Sequence, residues 1–222
     1  MFEAIHPNGF VDACWPRNLA PEAQSVHASG FIAHKGFDPT VQWVKVTDTG
    51  TGDIIGVSQW LIIKDEKPPE FDFDGPPGTW KDEKERLYAQ DIYRSFVRYR
   101  RDVLRSNNLP IVGKNRYMSP SFSTSEADRY VIVLSIMTVH PNHQFRGAGT
   151  MMMKWGNDVA DEIKALSVVE ATNAGRWLYE KMGYETKHHF AVEASGDSIT
   201  EVVQRLFFMV RPRALDLDVD HV

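Results

Sequence analysis

The 222-residue chain contains one cysteine, Cys14. No disulfide can form within it, and a reducing compartment is the natural reading. It has no run of about 18 apolar residues, the length that spans a bilayer. Its opening, MFEAIHPNGF, has neither the basic nor the apolar stretch of a secretory signal. Repeats and low-complexity tracts are absent. An excess of positive charge is missing too: 25 Lys and Arg against 30 Asp and Glu leave a net charge of -5. That balance argues against a nucleic-acid partner for the molecule as a whole, and nothing points to a membrane. The expected location is cytoplasmic, and a nucleus fits equally. Cys14, beside Trp15, reads as a small buried apolar residue rather than a nucleophile.

What is present is ordinary for a globular chain, 42% hydrophobic and 25% charged, and long enough for a sizeable core. Residues 1–36 read as an irregular segment with short helical pieces. Residues 41–63 read as a β-hairpin around Gly50 and Gly52. The Pro-rich stretch 64–80 reads as a surface loop. From Lys81 to Arg105 the apolar residues Leu87, Ile92, Phe96, Tyr99 and Val103 recur at helical steps. Its arginines (Arg94, Arg98, Arg100, Arg101, Arg105) read as a solvated face. Residues 106–129 read as a polar loop.

RYVIVLSIMTV, 129–139, is nearly continuously apolar, as a strand covered on both faces must be. A helix with an apolar stripe at Met152, Trp155, Val159 and Ile163 follows. Then come a buried strand at 166–172, a short helix at 174–184 stopped near Gly183, a strand at TKHHFAV, a polar turn at 194–198 and a closing strand at EVVQRLFFMV. The expected fold class is α/β (mixed α+β) in one domain, with 1–36 as an N-terminal segment and 37–222 as the domain proper.

Between strand and helix lies QFRGAG, Gln144 to Gly149. A strand that ends in a glycine-rich turn and opens a helix makes an anion site. The first helical N–H groups have no partner within the helix, and the helix dipole adds about half a positive charge there. Gly147 and Gly149 clear the way for phosphate oxygens, and Arg146 adds charge at the rim. No Lys-Ser or Lys-Thr follows, so this is not a Walker loop. Met152 stands where a dinucleotide fingerprint needs its third glycine. Another phosphate compound is therefore the better expectation.

QFRGAG matches the Q/R-x-x-G-x-G/A acetyl-coenzyme A signature and so resembles the GNAT superfamily of N-acetyltransferases. IMTVHP, Ile136 to Pro141, is similar to the strand and turn preceding that signature. Leu178-Tyr179-Glu180-Lys181-x-Gly183-Tyr184 is similar to the family's L-Y-E-K-x-G-F segment. FFMVRP is similar to the last strand of fungal-type members. The family's first strand has no counterpart ahead of the hairpin, and residues 1–36 would help build the acceptor site.

The resemblance implies a single GNAT-like domain. Its central sheet would be mixed and mostly antiparallel, with a splayed acetyl-CoA-binding strand and helices on both faces. It implies an acetyl-CoA-dependent N-acetyltransferase acting on a primary amine by direct transfer, or a non-catalytic acyl-CoA-binding relative. Pantetheine would lie along Ile136, Met137, Thr138 and Val139. The pyrophosphate would sit on backbone N–H groups of Gln144, Phe145, Arg146, Gly147, Ala148, Gly149 and Thr150. Asn173 would assist pantetheine binding. Tyr179 would protonate the thiolate, since a phenol of pKa about 10 is a reasonable donor to a thiolate of about 8.5. Ser135 stands where many members carry an acid. Glu170 would be the base, directly or through water, or else a paired structural carboxylate, because a charge in an apolar strand must be compensated. No metal is expected. Homodimers are common in that family and would fit.

Overall fold

The computed structural model describes residues 1–64, 66–107, 130–195 and 200–214. Three helices come first: α1 (Phe2–Ile5), α2 (Gly9–Cys14) and α3 (Pro21–Phe37). The hairpin strands β1 (Val41–Thr47) and β2 (Ile54–Ile63) follow, then α4 (Glu83–Phe96) and α5 (Arg98–Ser106). Next come β3 (Val131–Val139), α6 (Ala148–Glu162), β4 (Leu166–Ala171), α7 (Asn173–Lys181), β5 (Glu185–Ser195) and β6 (Thr200–Arg211). The strands form one sheet in the order β1-β2-β3-β4-β6-β5. Among the described residues β3–β4 is its one parallel pair, and the other neighbours run antiparallel.

Both faces of the sheet are covered, as the unbroken apolar run of β3 requires. Val131 and Val133 point to one face, together with Ile63, Val168 and Phe208. There they meet Phe10, Val11, Cys14, Ile92 and Phe96 from α2 and α4. Ile132 and Leu134 point to the other face, with Trp60, Val169 and Met209, and meet Met153, Ala160, Leu178 and Tyr179 from α6 and α7. Cys14 is fully buried, and burial pushes its thiol well above the usual range. It is a packing residue, as read from the sequence.

Local chemistry sets the boundaries. The hairpin turn is pinned by Asp48, whose Oδ1 accepts from Gly50 N at 2.9 Å. Asp82 caps α4 by accepting from Glu85 N at 2.8 Å, while Glu85 returns the contact to Lys81 N at 2.7 Å. Thr172 caps α7 through Gly175 N at 3.2 Å.

Three expectations need correction. Residues 1–36 are not mainly irregular, because α3 is a 17-residue helix. Of that helix only His27 is buried, and Ile32 and Phe37 are exposed, so no apolar stripe announces it. The helix expected over 81–105 is two helices that break at Val97. The arginines on it are not simply solvated. Arg94 forks onto Asp72 at 2.7 and 2.8 Å, Arg105 onto Glu70 at 2.8 and 2.7 Å, and Arg101 donates to Phe71 O at 2.6 Å. They strap the 64–80 loop to the helices. Most of the expected 106–129 loop, and the 196–198 part of the polar turn, lie outside the described residues.

Candidate active site

The site is built where β3 and β4 part company. Their ladder runs from Val131–Leu166 to Leu134–Val169 and stops. Beyond it β3 keeps its pairing with β2, and β4 keeps its pairing with β6. Ile136, Met137, Thr138 and Val139 therefore face β4 across an opening, and among the described residues their edge on that side belongs to no ladder. At its apex β3 carries a bulge. Trp60 pairs with Leu134 and Gln59 with Ile136, so Ser135 is left without an opposite. Two buried polar atoms, Thr138 Oγ1 on this half of β3 and Gln59 Nε2 on the neighbouring β2, have no hydrogen-bond partner among the described residues.

Beyond Val139 the chain makes a short turn, Pro141–His143, capped by His140 accepting from Asn142 N at 3.3 Å. It then passes Gln144, Phe145 and Arg146 and enters α6. Gly147 is the helix N-cap at φ 89°, ψ -4°, a left-handed conformation that suits glycine. Among the described residues no side chain caps this end, so the first N–H groups of α6, from Ala148, Gly149 and Thr150, are open to an anion. The N–H of Met151 already bonds to Gly147 O at 2.9 Å. Phe145 is 94% exposed at the rim. Arg146 reaches back to Asp48 of the hairpin turn at 2.9 Å and to His143 at 2.7 Å. Open backbone, orphaned Thr138 and uncapped helix end fit a long ligand with a negatively charged head.

α7 starts directly after β4. Asn173 is exposed at its first position. Tyr179 is buried, with its ring folded back over Gly175, and a Cβ at that glycine would lie 3.1 Å from it. Among the described residues its hydroxyl makes no hydrogen bond. Burial pushes its phenol well above the usual value, and neighbouring Tyr184 adds to that. Tyr184 has a structural task, with its hydroxyl 2.6 Å from Ser167 Oγ.

Glu170 lies one residue past the last β3–β4 pair, and the structure supplies the partner its apolar strand demanded. Arg100 of α5 donates from Nε to Oε1 at 3.0 Å and from Nη2 to Oε2. Both side chains are buried, at 6% and 1% exposure. Reading the arginines as one solvated face missed Arg100. The signal was its position, four residues after Phe96 and three before Val103, inside the apolar stripe. Among the described residues no cluster suited to a metal ion occurs.

By sequence, residues 113–186 match the acetyltransferase (GNAT) domain family. No curated protein matches the chain. Among solved structures, a mosquito arylalkylamine N-acetyltransferase like 5b superposes with a TM-score of 0.54 at 14% identity, covering 94% of this chain and 92% of that one. Arylalkylamine N-acetyltransferase 2 from Aedes aegypti gives 0.53 at 12%, covering 94% and 88%. The C-terminal condensation domain of Ebony, in complex with beta-alanyl-dopamine, gives 0.54 at 16%, covering 92% and 86%. These lend no support to the fungal-type likeness of the closing strand. The six-stranded mixed sheet with its opening between β3 and β4, and helices on both faces, is the GNAT fold.

Proposed function

We propose that this protein is an acetyl-CoA-dependent N-acetyltransferase that moves an acetyl group directly to a primary amine of a small molecule or peptide. The observation that carries the reading is one juxtaposition. The half of β3 that has parted from β4 leads straight into the left-handed Gly147 and the uncapped start of α6. Backbone groups of Ile136 to Val139 hold an extended pantetheine arm, and the N–H groups of 148–150 receive the pyrophosphate. Arg146 stands at its rim, and Asn173 lies across the opening at the start of α7.

Acetyl-CoA supplies an acyl thioester. A neutral amine attacks its carbonyl, the C–N bond forms and the C–S bond breaks. The leaving thiolate needs a proton and the amine must lose one. Tyr179 is the donor in this reading because its hydroxyl has no partner among the described residues; burial keeps it protonated but also makes it a weaker acid than a free phenol, a cost that the transfer must offset. The amine proton goes to water. Of the two roles weighed for Glu170, the geometry favours the paired carboxylate, since both its oxygens lie on Arg100. Two of the superposed structures are named as arylalkylamine N-acetyltransferases, which makes arylalkylamines the first compounds to try.

A non-catalytic acyl-CoA-binding module is the second reading. It is favoured by two features: Ser135 stands at the bulge, and the nearby Glu170 carboxylate is engaged by Arg100.

Calorimetric titration with acetyl-CoA, beside Gly147→Asp, tests the binding half. Micromolar binding that the variant loses supports the cradle, and a well-folded wild type that gives no heat with acetyl-CoA or CoA sinks it. Free-thiol release with an amine panel then separates enzyme from binding module.

A further inference from the structure

We propose that Arg100 is a positioning residue that sets the width of the β3–β4 opening at its apex. It rests on the acyl-CoA reading above. The last ladder pair is Leu134–Val169, and the next residue on each strand is Ser135 and Glu170. One guanidinium touches both. Arg100 forks onto Glu170 and donates through Nη1 to Ser135 Oγ at 3.4 Å. It thus takes over where backbone pairing ends.

The chemistry suits that task. A guanidinium is planar and presents its donors in fixed directions, so groups bonded to its edges are held at a fixed spacing. An apolar side chain could fill the same volume but would not fix that spacing. Burying such a pair is rarely a net gain in stability over an apolar filler. A role in geometry accounts for what stability alone does not. The bulge completes the device: without an opposite in β2, Ser135 is the residue of β3 freest to be drawn toward another partner. Arg100 itself is held from behind, with its guanidinium over the Phe96 ring at 5.6 Å. Its seat at the third residue of α5 follows from the break at Val97.

The same arrangement redefines Glu170. It anchors Arg100 to β4, while Ser135 receives the free edge on β3. Ile136 to Val139, which pair with β2 but no longer with β4, continue directly from that contact.

Arg100→Lys keeps the charge but loses the fork. Ser135→Ala keeps the ion pair and removes only the link to β3, so it serves as the milder variant. Two readouts are taken on each: acetyl-CoA affinity with kcat/KM, and hydrogen exchange of the 135–139 segment against the 41–63 hairpin. Arg100→Lys is expected to weaken acetyl-CoA binding and to lower kcat/KM on the order of 10²-fold. Exchange should speed up in 135–139 and stay unchanged in the hairpin. Ser135→Ala should move the same quantities in the same direction by less, with the shape of the pH profile retained in both. A lower Tm with wild-type affinity, wild-type kcat/KM and unchanged 135–139 exchange overturns the proposal. So does a Glu170→Gln variant that binds acetyl-CoA normally yet loses kcat together with the acidic limb of its pH profile, which marks a base. A wild type that binds no acyl-CoA sinks the function reading instead, and the exchange comparison still decides whether Arg100 sets the opening.

Discussion

Asp48 holds Arg146. The carboxylate belongs to the β1–β2 turn and the guanidinium to the loop entering α6, and they meet at 2.9 Å across 98 residues of sequence. The Gly50 N–H and then Arg146 keep the Asp48 carboxyl below its ordinary range, so it is ionised at neutral pH. A negative charge thus stands beside the proposed pyrophosphate seat and occupies the arginine expected to serve it. Asp48→Asn keeps an oxygen for Gly50 but removes the charge. Acetyl-CoA should then bind severalfold more tightly, with the gain shrinking as salt is raised. Calorimetry at two ionic strengths reads this directly. Equal or weaker binding in the variant would mean that Asp48 orients Arg146 usefully rather than diverting it.

Gly156 lets α6 lie against Trp60. A Cβ at that position would penetrate the indole ring, which is fully buried and held by its Nε1 donating to Ser58 Oγ at 2.9 Å. Gly156→Ala should therefore destabilise the fold by about 1–3 kcal/mol through overpacking, despite the better helix propensity of alanine. Trp60→Phe should give part of that back in the double variant, a non-additivity that chemical denaturation of the four proteins measures. Strict additivity would mean that the helix simply shifts to make room.

How much of this could be read from the residues depends on where each element gets its stability. β3 and α6 were legible because the sheet buries β3 on both sides and α6 on one, which writes an apolar pattern into each. The open start of α6 at QFRGAG was legible because glycines mark where backbone is left exposed. α3 was not, because it buries only His27. The arginine straps were not, because Arg94–Asp72 and Arg105–Glu70 join residues 22 and 35 apart, and charge patterns carry no address. Glu170 was half legible. A carboxylate in an apolar strand announces that a partner exists, but only the fold shows that it is Arg100.

His27 gives the N-terminal helices a pH dependence. Its Nε2 lies 3.1 Å from Pro16 O, which can only accept, so that nitrogen carries hydrogen in the neutral ring. The ring also packs edge-on against Phe2. Burial lowers its pKa, with Arg17 adding to the effect against the opposing pull of the Pro16 contact. A folded-state pKa below the unfolded value of about 6.5 means that the neutral ring's contribution is complete above that pH and is lost as pH falls through the folded value. Tm should therefore drop more between pH 7 and pH 5 in the wild type than in His27→Gln, which cannot charge. Parallel melting curves over that interval would show that the ring is too well hydrated to matter.

Tyr179 is the sharpest test of chemistry as opposed to binding. Its hydroxyl has no hydrogen bond among the described residues, so Tyr179→Phe removes one oxygen and keeps the packing against Tyr184. Stability should change little. If the phenol protonates the leaving thiolate, kcat should fall about 10²-fold or more, while acetyl-CoA affinity stays within a factor of about two. The raised pKa sets the pH profile: the phenol remains protonated past its ordinary value of about 10, so its ionisation adds no descending limb below that pH in the wild type. Gly175→Ala supplies the complementary test, because its Cβ would stand 3.5 Å from the Tyr179 hydroxyl and crowd the ring without removing the proton. A smaller loss of kcat there, beside a large one in Tyr179→Phe, fits a donor whose placement matters. Wild-type turnover in Tyr179→Phe would leave water as the acid and Tyr179 as part of the core.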